Sequence, residues 1–328
     1  MMGSTTGYAS ALRAGLRLRS LRELRSRDLR TLLDEEIDHW SSELDWDFAD
    51  VAAALLDAVD ARTVAGCVLT DGARALAYCY WIREQERAVV GSLFAVEQAR
   101  GQGLEEPLLD AVLAEAQAQL DCARVEGQTL FSTTTLADEH YTRGGFVGRA
   151  RHYLVRSLAE SLPPAADEWR LTPLARSHIP EVARLVFESH SGSADAVLNS
   201  VYLSPERTRN FVDTLVLHDG CGRFMPEASL EAFGSEGLAG VVLCSRVSPH
   251  NGHICQVSVL PRSQGRGLGR ALVVAALTQL KRNGLASASL SVTAGNERAT
   301  RLYANLGFRL HRAYGAHAWV RPPMRLSL

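Results

Sequence analysis

HICQVSVLPRSQGRGLGRALVVAALTQLKRNG, residues 253 to 284, passes from a short β-branched stretch through a glycine-rich loop into an amphipathic helix, and the rest of the chain is organised around it. Ile254, Val257 and Val259 predict a strand, stopped by Pro261. Leu268, Leu272, Val273, Ala276, Leu277 and Leu280 fall on one face of a helix, with Lys281 and Arg282 in its last turn and Gly284 just past it. Between them lies QGRGLG, Gln264 to Gly269. Alternating glycines let the backbone turn tightly, remove side chains that would block a ligand, and leave N–H groups pointing outward at a helix N-terminus. Such an end attracts anions, a pyrophosphate above all. A Walker loop is excluded because Leu268, Gly269 and Arg270 stand where Lys and Ser/Thr belong. A Rossmann fingerprint would need glycine at Arg270. An ordinary glycine-rich turn before a helix is the plain alternative.

A chain of 328 residues has room for two domains with full cores, and its 46% hydrophobic and 22% charged composition is that of a folded globular protein. The formal net charge of −2 gives no footprint for nucleic acid or a membrane surface. Lys281 is the only lysine, so the positive charge is nearly all arginine. Cys67, Cys79, Cys122, Cys221, Cys244 and Cys255 are scattered without a CxxC pair, which argues for reduced core thiols and against a zinc site or disulfide framework. No apolar run approaches the ~18 residues needed to span a bilayer. The Ser- and Arg-rich N-terminus has a transit-like composition, but Leu16, Leu18 and Leu21 fall where a first strand is wanted. The expected location is cytoplasmic.

Laid over each other, the two halves repeat. Arg17, Leu18 and Leu21 match Arg170, Leu171 and Leu174 at an offset of 170 − 17 = 153. RGQGLE, Arg100 to Glu105, matches QGRGLG at 264 − 100 = 164, and each loop precedes a helical apolar pattern. Tyr-x-x-x-Gly-Phe then occurs twice, as Tyr141, Gly145, Phe146 and as Tyr303, Gly307, Phe308, at 303 − 141 = 162. Landmarks in the same order at nearly constant spacing indicate a duplicated domain. Each half reads strand, helix, helix, three strands, loop and helix, strand, helix, strand. Asp71-Gly72 and His250-Asn251-Gly252 are the expected hairpin turns. Hairpins followed by one crossover helix predict an α+β fold with a mixed, mostly antiparallel sheet flanked by helices. The seam falls in LAESLPPAADE, residues 158 to 168, giving domains at 1–160 and 161–328.

A strand ending Val259-Leu260-Pro261, followed by Gln264, Gly267 and Gly269, resembles the pyrophosphate loop of the GNAT (GCN5-related N-acetyltransferase) superfamily. The order of elements extends the resemblance over essentially the whole chain, as two tandem GNAT-like domains. It implies an acetyl-CoA-dependent N-acetyltransferase acting by direct attack of an amine on the thioester, with no metal. In that family the fourth strand splays from the fifth at a bulge and pairs with the pantetheine arm, a role carried here to Val257, Ser258 and Val259. Gln264, Gly265, Arg266, Gly267, Leu268, Gly269 and Arg270 would cradle the pyrophosphate, although loop arginines are commonly just solvated. Asn296 reads equally as a helix N-cap and as a contact to acetyl-CoA.

The resemblance makes Tyr303 the general acid that protonates the departing thiolate, and a phenol of pKa ~10 carries its proton at neutral pH. The competing role is packing beside Phe308. An ammonium acceptor must also lose a proton. His253 is the named candidate base, because relatives carry a carboxylate nearby and imidazole titrates at ~6.5, yet it follows Gly252 in a hairpin and reads as exposed. Glu188, His190, His317 and an ordered water are the other possibilities. In the first copy Glu105 replaces Gly269 and Glu97 replaces Pro261. A carboxylate about 5 Å from a phosphate charge costs on the order of 1–3 kcal/mol, which predicts a degenerate domain without cofactor, serving as a wall of the acceptor cleft or a scaffold. The acceptor is a small-molecule amine or a peptide. Acylation of protein lysine, and a non-catalytic acyl-CoA sensor, are the rival functions, and a homodimer is compatible with the sequence.

Overall fold

The computed structural model describes residues 15–131, 135–164 and 169–322, so the first fourteen residues and 165–168 of the expected seam lie outside the described residues. Two compact units form. One holds residues up to Leu44, Phe48–Arg149 and the chain from Tyr314 onward, and the other holds Asp45–Asp47 and Ala150–Ala313.

The first unit runs β1 (Arg17–Ser20), α1 (Ser26–Leu44), α2 (Ala49–Asp60), β2 (Ala65–Asp71), β3 (Arg74–Glu84), β4 (Arg87–Ala95), α3 (Glu105–Ala118), β5 (Arg124–Gln128), α4 (Thr135–Arg143) and the start of β6 (Val147–Ser157). Strands β1 to β5 lie side by side, antiparallel except for the parallel β4–β5 pair. The second unit runs β7 (Arg170–Pro173), α5 (Ile179–His190), α6 (Ala194–Leu198), α7 (Pro205–Leu217), β8 (Arg223–Phe224), β9 (Leu230–Gly234), β10 (Gly237–Arg246), β11 (Asn251–Val259), α8 (Leu268–Arg282), β12 (Ser287–Thr293), α9 (Glu297–Asn305) and the start of β13 (Arg309–Val320). Its sheet order is β7–β9–β10–β11–β12, and only β11–β12 is parallel. The expected α+β class and duplicated element order are both present.

The units do not divide at one point in the chain. Residues Arg151–Ser157 of β6 pair antiparallel with Thr293–Ser287 in the second unit, and Ala316–Val320 of β13 pair antiparallel with Gln128–Arg124 in the first. Each half thus gives its last strand to the other half's sheet. The exchange satisfies the same backbone groups as a local pairing, which is why composition places a seam near residue 160 while the units interleave.

In the second unit, successive residues of β10 point to opposite faces. Val242 and Cys244 join α8 residues Leu268, Leu272 and Leu277 in one buried cluster, while Val241 and Leu243 join Val182, Val186 and Val212 of α5 and α7 in another. Removing such a leucine to alanine costs about 2–5 kcal/mol. The hairpin turn closes earlier than His250–Gly252. The Ser248 hydroxyl accepts from the backbone N–H of His250 (3.0 Å) and Asn251 (2.9 Å), so Asn251 and Gly252 already belong to β11.

Candidate functional site

The glycine loop has the conformation its sequence demands. Gly265 and Gly267 have φ of +79° and +80°, and a Cβ built on either meets nothing within 4 Å. The left-handed backbone thus requires glycine, and open space lies where side chains would stand. Gly267 caps α8 without a side-chain hydrogen bond, so the first amides of α8 keep the anion-attracting end expected of them. Gln264 anchors the loop: its Nε2 donates to the Val259 carbonyl (2.9 Å) and its Oε1 accepts from Arg298 Nη1 (2.6 Å). The Arg266 guanidinium lies 5.2 Å from the Trp169 ring centroid. Gly269 is different, because a Cβ there makes only ordinary contacts of 3.7 Å to Leu302 and 3.8 Å to Val259. The fold itself therefore tolerates a methyl group at this position.

Beside the loop the sheet opens. The β11–β12 pairing ends at Ile254↔Leu290, and Cys255 is an extra residue in β11, since Leu243 pairs with Gln256 but Cys244 with Ile254. A bulge of this kind bends one strand away from its neighbour. From Cys255 to Val259 β11 keeps β10 as its only ladder partner, while Ser291–Thr293 of β12 keep β6. Peptide groups are thereby left available on the β11 edge at Val257–Val259, as the splay expected of the family implies. A cavity of about 110 Å³ occupies the opening, with Val257, Thr293, Asn296 and Tyr303 among its walls.

Tyr303 is buried, meets Phe308 edge-on at 5.8 Å, and also lines the cavity, so packing beside Phe308 does not withdraw it from the opening. Burial, and secondarily the charge of Asp195, push its phenol up to about 12. Asn296 caps α9 by accepting from the Ala299 backbone N–H (3.2 Å), and it lines the cavity as well. Ser258 Oγ accepts from Gln256 Nε2 (2.9 Å), whose Oε1 accepts from the buried Tyr202 hydroxyl (2.9 Å). His190 stacks on Tyr202 at 4.5 Å, and burial holds its imidazole below the usual range. This network fixes the cavity wall built by α5 and the segment after it.

His253 is placed elsewhere. It is buried rather than exposed, its Nδ1 lies 2.9 Å from Ser289 Oγ, and its ring packs against Trp46 and Tyr153. Burial drives its pKa down to about 3. It sits in the still-paired part of β11, opposite Ser289, and is not among the cavity walls. The early turn at Ser248 draws it into the strand. Glu188 is exposed and also outside the cavity walls, and His317 belongs to the first unit.

Two cavity residues carried little sequence signal. Asp195, in α6, accepts a hydrogen bond from Thr293 Oγ1 and lines the cavity. It lies in the segment between the first helices where an acceptor site was expected, but nothing in a mixed-polarity stretch singles it out. Arg151 reaches the cavity from the exchanged strand β6, a position invisible without the strand exchange.

The first unit keeps the loop but carries aromatic rings at its splay. Gly101 and Gly103 have φ of +72° and +74°, matching their counterparts. Glu105, however, sits in the first turn of α3, and its carboxylate accepts from its own backbone N–H while burial raises its pKa. A side-chain anion thus occupies an amide of the kind a phosphate would use. The β4–β5 pairing ends at Val90↔Gly127, where the same splay begins. Here the Tyr80 ring lies 2.2 Å from where a Cβ of Gly91 would be, and the Tyr141 hydroxyl lies 2.1 Å from that of Gly127. Aromatic rings thus pack directly on the strand glycines at this splay.

Residues 193–308 match the model of the acetyltransferase (GNAT) family. The chain is 29% identical over 298 residues to a mycothiol acetyltransferase of a Nocardioides species, covering 79% of this chain and 95% of that protein. It is 43% identical over 91 residues to the mycothiol acetyltransferase of Paenarthrobacter aurescens, a stretch covering 26% of this chain and only 28% of the relative. Among solved structures, a GCN5-related N-acetyltransferase from Sphaerobacter thermophilus superposes with a TM-score of 0.68 at 18% identity, covering 95% of this chain and 98% of that one. A tandem GNAT protein from the clavulanic acid biosynthesis pathway does so with a TM-score of 0.58 at 15% identity, covering 94% and 99%. Residues 193–308 thus match the GNAT acetyltransferase family, and the chain as a whole shares the fold of GNAT proteins, a tandem one among them.

Proposed function

We propose that this protein is an acetyl-CoA-dependent N-acetyltransferase with one working site, in the second unit, acting on a small-molecule amine. The observation that carries this reading is the contrast between the copies: both have the glycine loop and the splay, but Tyr80 and Tyr141 crowd the splay of the first, whereas a cavity with a tyrosine on its wall opens at that of the second. Acetyl-CoA, when bound, supplies the acetyl group as a thioester. The α8 amides, with Gly265 and Gly267, would receive its pyrophosphate, and the free β11 edge at Val257–Val259 its pantetheine arm. Arg266, Leu268 and Arg270, in or next to that loop, would add contacts to the same anion, and Asn296, on the cavity wall, would face the rest of the cofactor.

Tyr303 holds its proton throughout the physiological range and serves as the acid for a departing thiolate. Asp195, rather than His253, is the acceptor-side group, because a carboxylate on the cavity wall can bind an ammonium and receive its proton. His190, neutral at pH 7 through burial, adds a polar wall without a competing charge.

Calorimetric titration with acetyl-CoA, followed by free-thiol release with a panel of amines, tests the reading. The expected stoichiometry is one acetyl-CoA per chain with acceptor-dependent thiol release. Two equivalents per chain, or no binding at all, would overturn it.

A further inference from the structure

Arg151 and Asp195 both line the cavity, one from β6 and one from α6, yet no ion pair joins them among the described residues. Arg151 is half-buried, and its Nε is shut off from solvent without a hydrogen-bond partner. A guanidinium presents five donors in a planar fork and is costly to bury uncompensated, so one left unpartnered on a cavity wall is a site for an anion. The Asp195 carboxylate is oriented by the Thr293 hydroxyl, which uses one of its oxygens and leaves it the capacity to accept further bonds. Opposite charges held apart across one small cavity are complementary to a ligand that carries both.

We infer that the acceptor is a zwitterion, a primary amine bearing a carboxylate, with its carboxylate on Arg151 and its ammonium on Asp195 beside Tyr303. The inference rests on the transferase reading above and names its substrate class. In balanced form, the ammonium gives one proton to Asp195, the neutral amine nitrogen bonds to the thioester carbonyl carbon, the carbon–sulfur bond breaks as the departing sulfur takes a proton from Tyr303, and the second proton shed by the nitrogen as the amide forms returns to the Tyr303 phenolate. The products are an N-acetylated amino acid and a free thiol. In the first unit Tyr80 and Tyr141 crowd the corresponding strand glycines.

The test compares amino acids with their own C-terminal amides, such as alanine with alaninamide and phenylalanine with phenylalaninamide, in free-thiol release by the full chain. A charge-assisted hydrogen bond contributes about 1.5–3 kcal/mol, so the carboxylates are expected to have a kcat/KM about 10- to 150-fold higher, mostly through KM. Arg151→Gln should abolish the preference, chiefly by lowering kcat/KM for the carboxylates, with acetyl-CoA affinity unchanged, and Arg151→Lys should restore part of it. Equal or faster reaction of the amides, a preference that survives Arg151→Gln, or no reaction of either set by protein that binds acetyl-CoA would overturn the inference and leave the cofactor reading standing. Failure to bind acetyl-CoA would instead remove the transferase reading beneath it.

Discussion

Replacing Gly269 by alanine and, separately, by glutamate separates two reasons for a glycine at the head of α8. The backbone there is helical and a Cβ meets Leu302 and Val259 at 3.7 and 3.8 Å, so neither substitution is strained at its Cβ. Alanine in a helix is favoured over glycine by about 0.5–1 kcal/mol, and Gly269→Ala should raise Tm by roughly 2–4 °C with acetyl-CoA affinity within about threefold of wild type. Gly269→Glu recreates the first copy, whose Glu105 carboxylate accepts its own backbone N–H. Two unit charges about 5 Å apart at an effective dielectric of about 20 repel by roughly 3 kcal/mol, and screening at physiological ionic strength halves this. A loss near 2 kcal/mol is about 30-fold in Kd. At about 1 M salt the Debye length falls to ~3 Å and the gap should narrow to about threefold. Isothermal titration at the two salt concentrations reads both numbers. If Gly269→Ala loses as much affinity as Gly269→Glu, the position is steric and the electrostatic reasoning fails; it fails equally if Gly269→Glu binds normally at low salt.

Tyr303→Phe should lower kcat by about 10²-fold with little change in KM for acetyl-CoA, whereas Tyr141→Phe, in the filled first unit, should leave steady-state rates within about twofold. Because burial pushes the Tyr303 phenol up to about 12, the rate–pH profile should show no loss of the acid at pH 10, where an unperturbed tyrosine would be half ionised; a Tyr303-dependent basic limb at that pH contradicts the assignment. His253 tests the other placement. Its folded-state pKa of about 3 lies below the unfolded value of ~6.5, so the unfolded chain binds the extra proton and stability is lost as pH falls from about 6.5 toward 3. At pH 4.5 the cost is about 2–3 kcal/mol, so His253→Asn should shrink the Tm drop between pH 7 and pH 4.5 by roughly 5–10 °C while keeping activity within about threefold. An unchanged acid sensitivity, or a large loss of rate, would count against a buried structural histidine.

The loop was legible because its requirement is local. Only glycine adopts the left-handed backbone of Gly265 and Gly267 without strain, and a helix N-terminus attracts anions wherever it occurs. Tyr303 was legible through its spacing from Gly307 and Phe308 and through its twin at Tyr141. His253 was not, because its burial depends on a turn closed by the Ser248 hydroxyl, one side-chain bond that shifts the strand start by two residues. Gly269 reads as part of the fold's tight turn, yet the space around it shows that the chain itself makes no such demand.

The sequence by itself determined the duplication, the α+β order of elements, the anion loop and the loss of one loop glycine to Glu105, since each is written in residues near one another along the chain. Tertiary structure alone decided what faces each splay. Tyr80 and Tyr141 pack on glycines of neighbouring strands at one splay, and Arg151 reaches the cavity at the other only because β6 pairs with β12 rather than with β5. Backbone hydrogen bonding is indifferent to which half of the chain supplies a strand, so residue spacing carries no trace of that exchange.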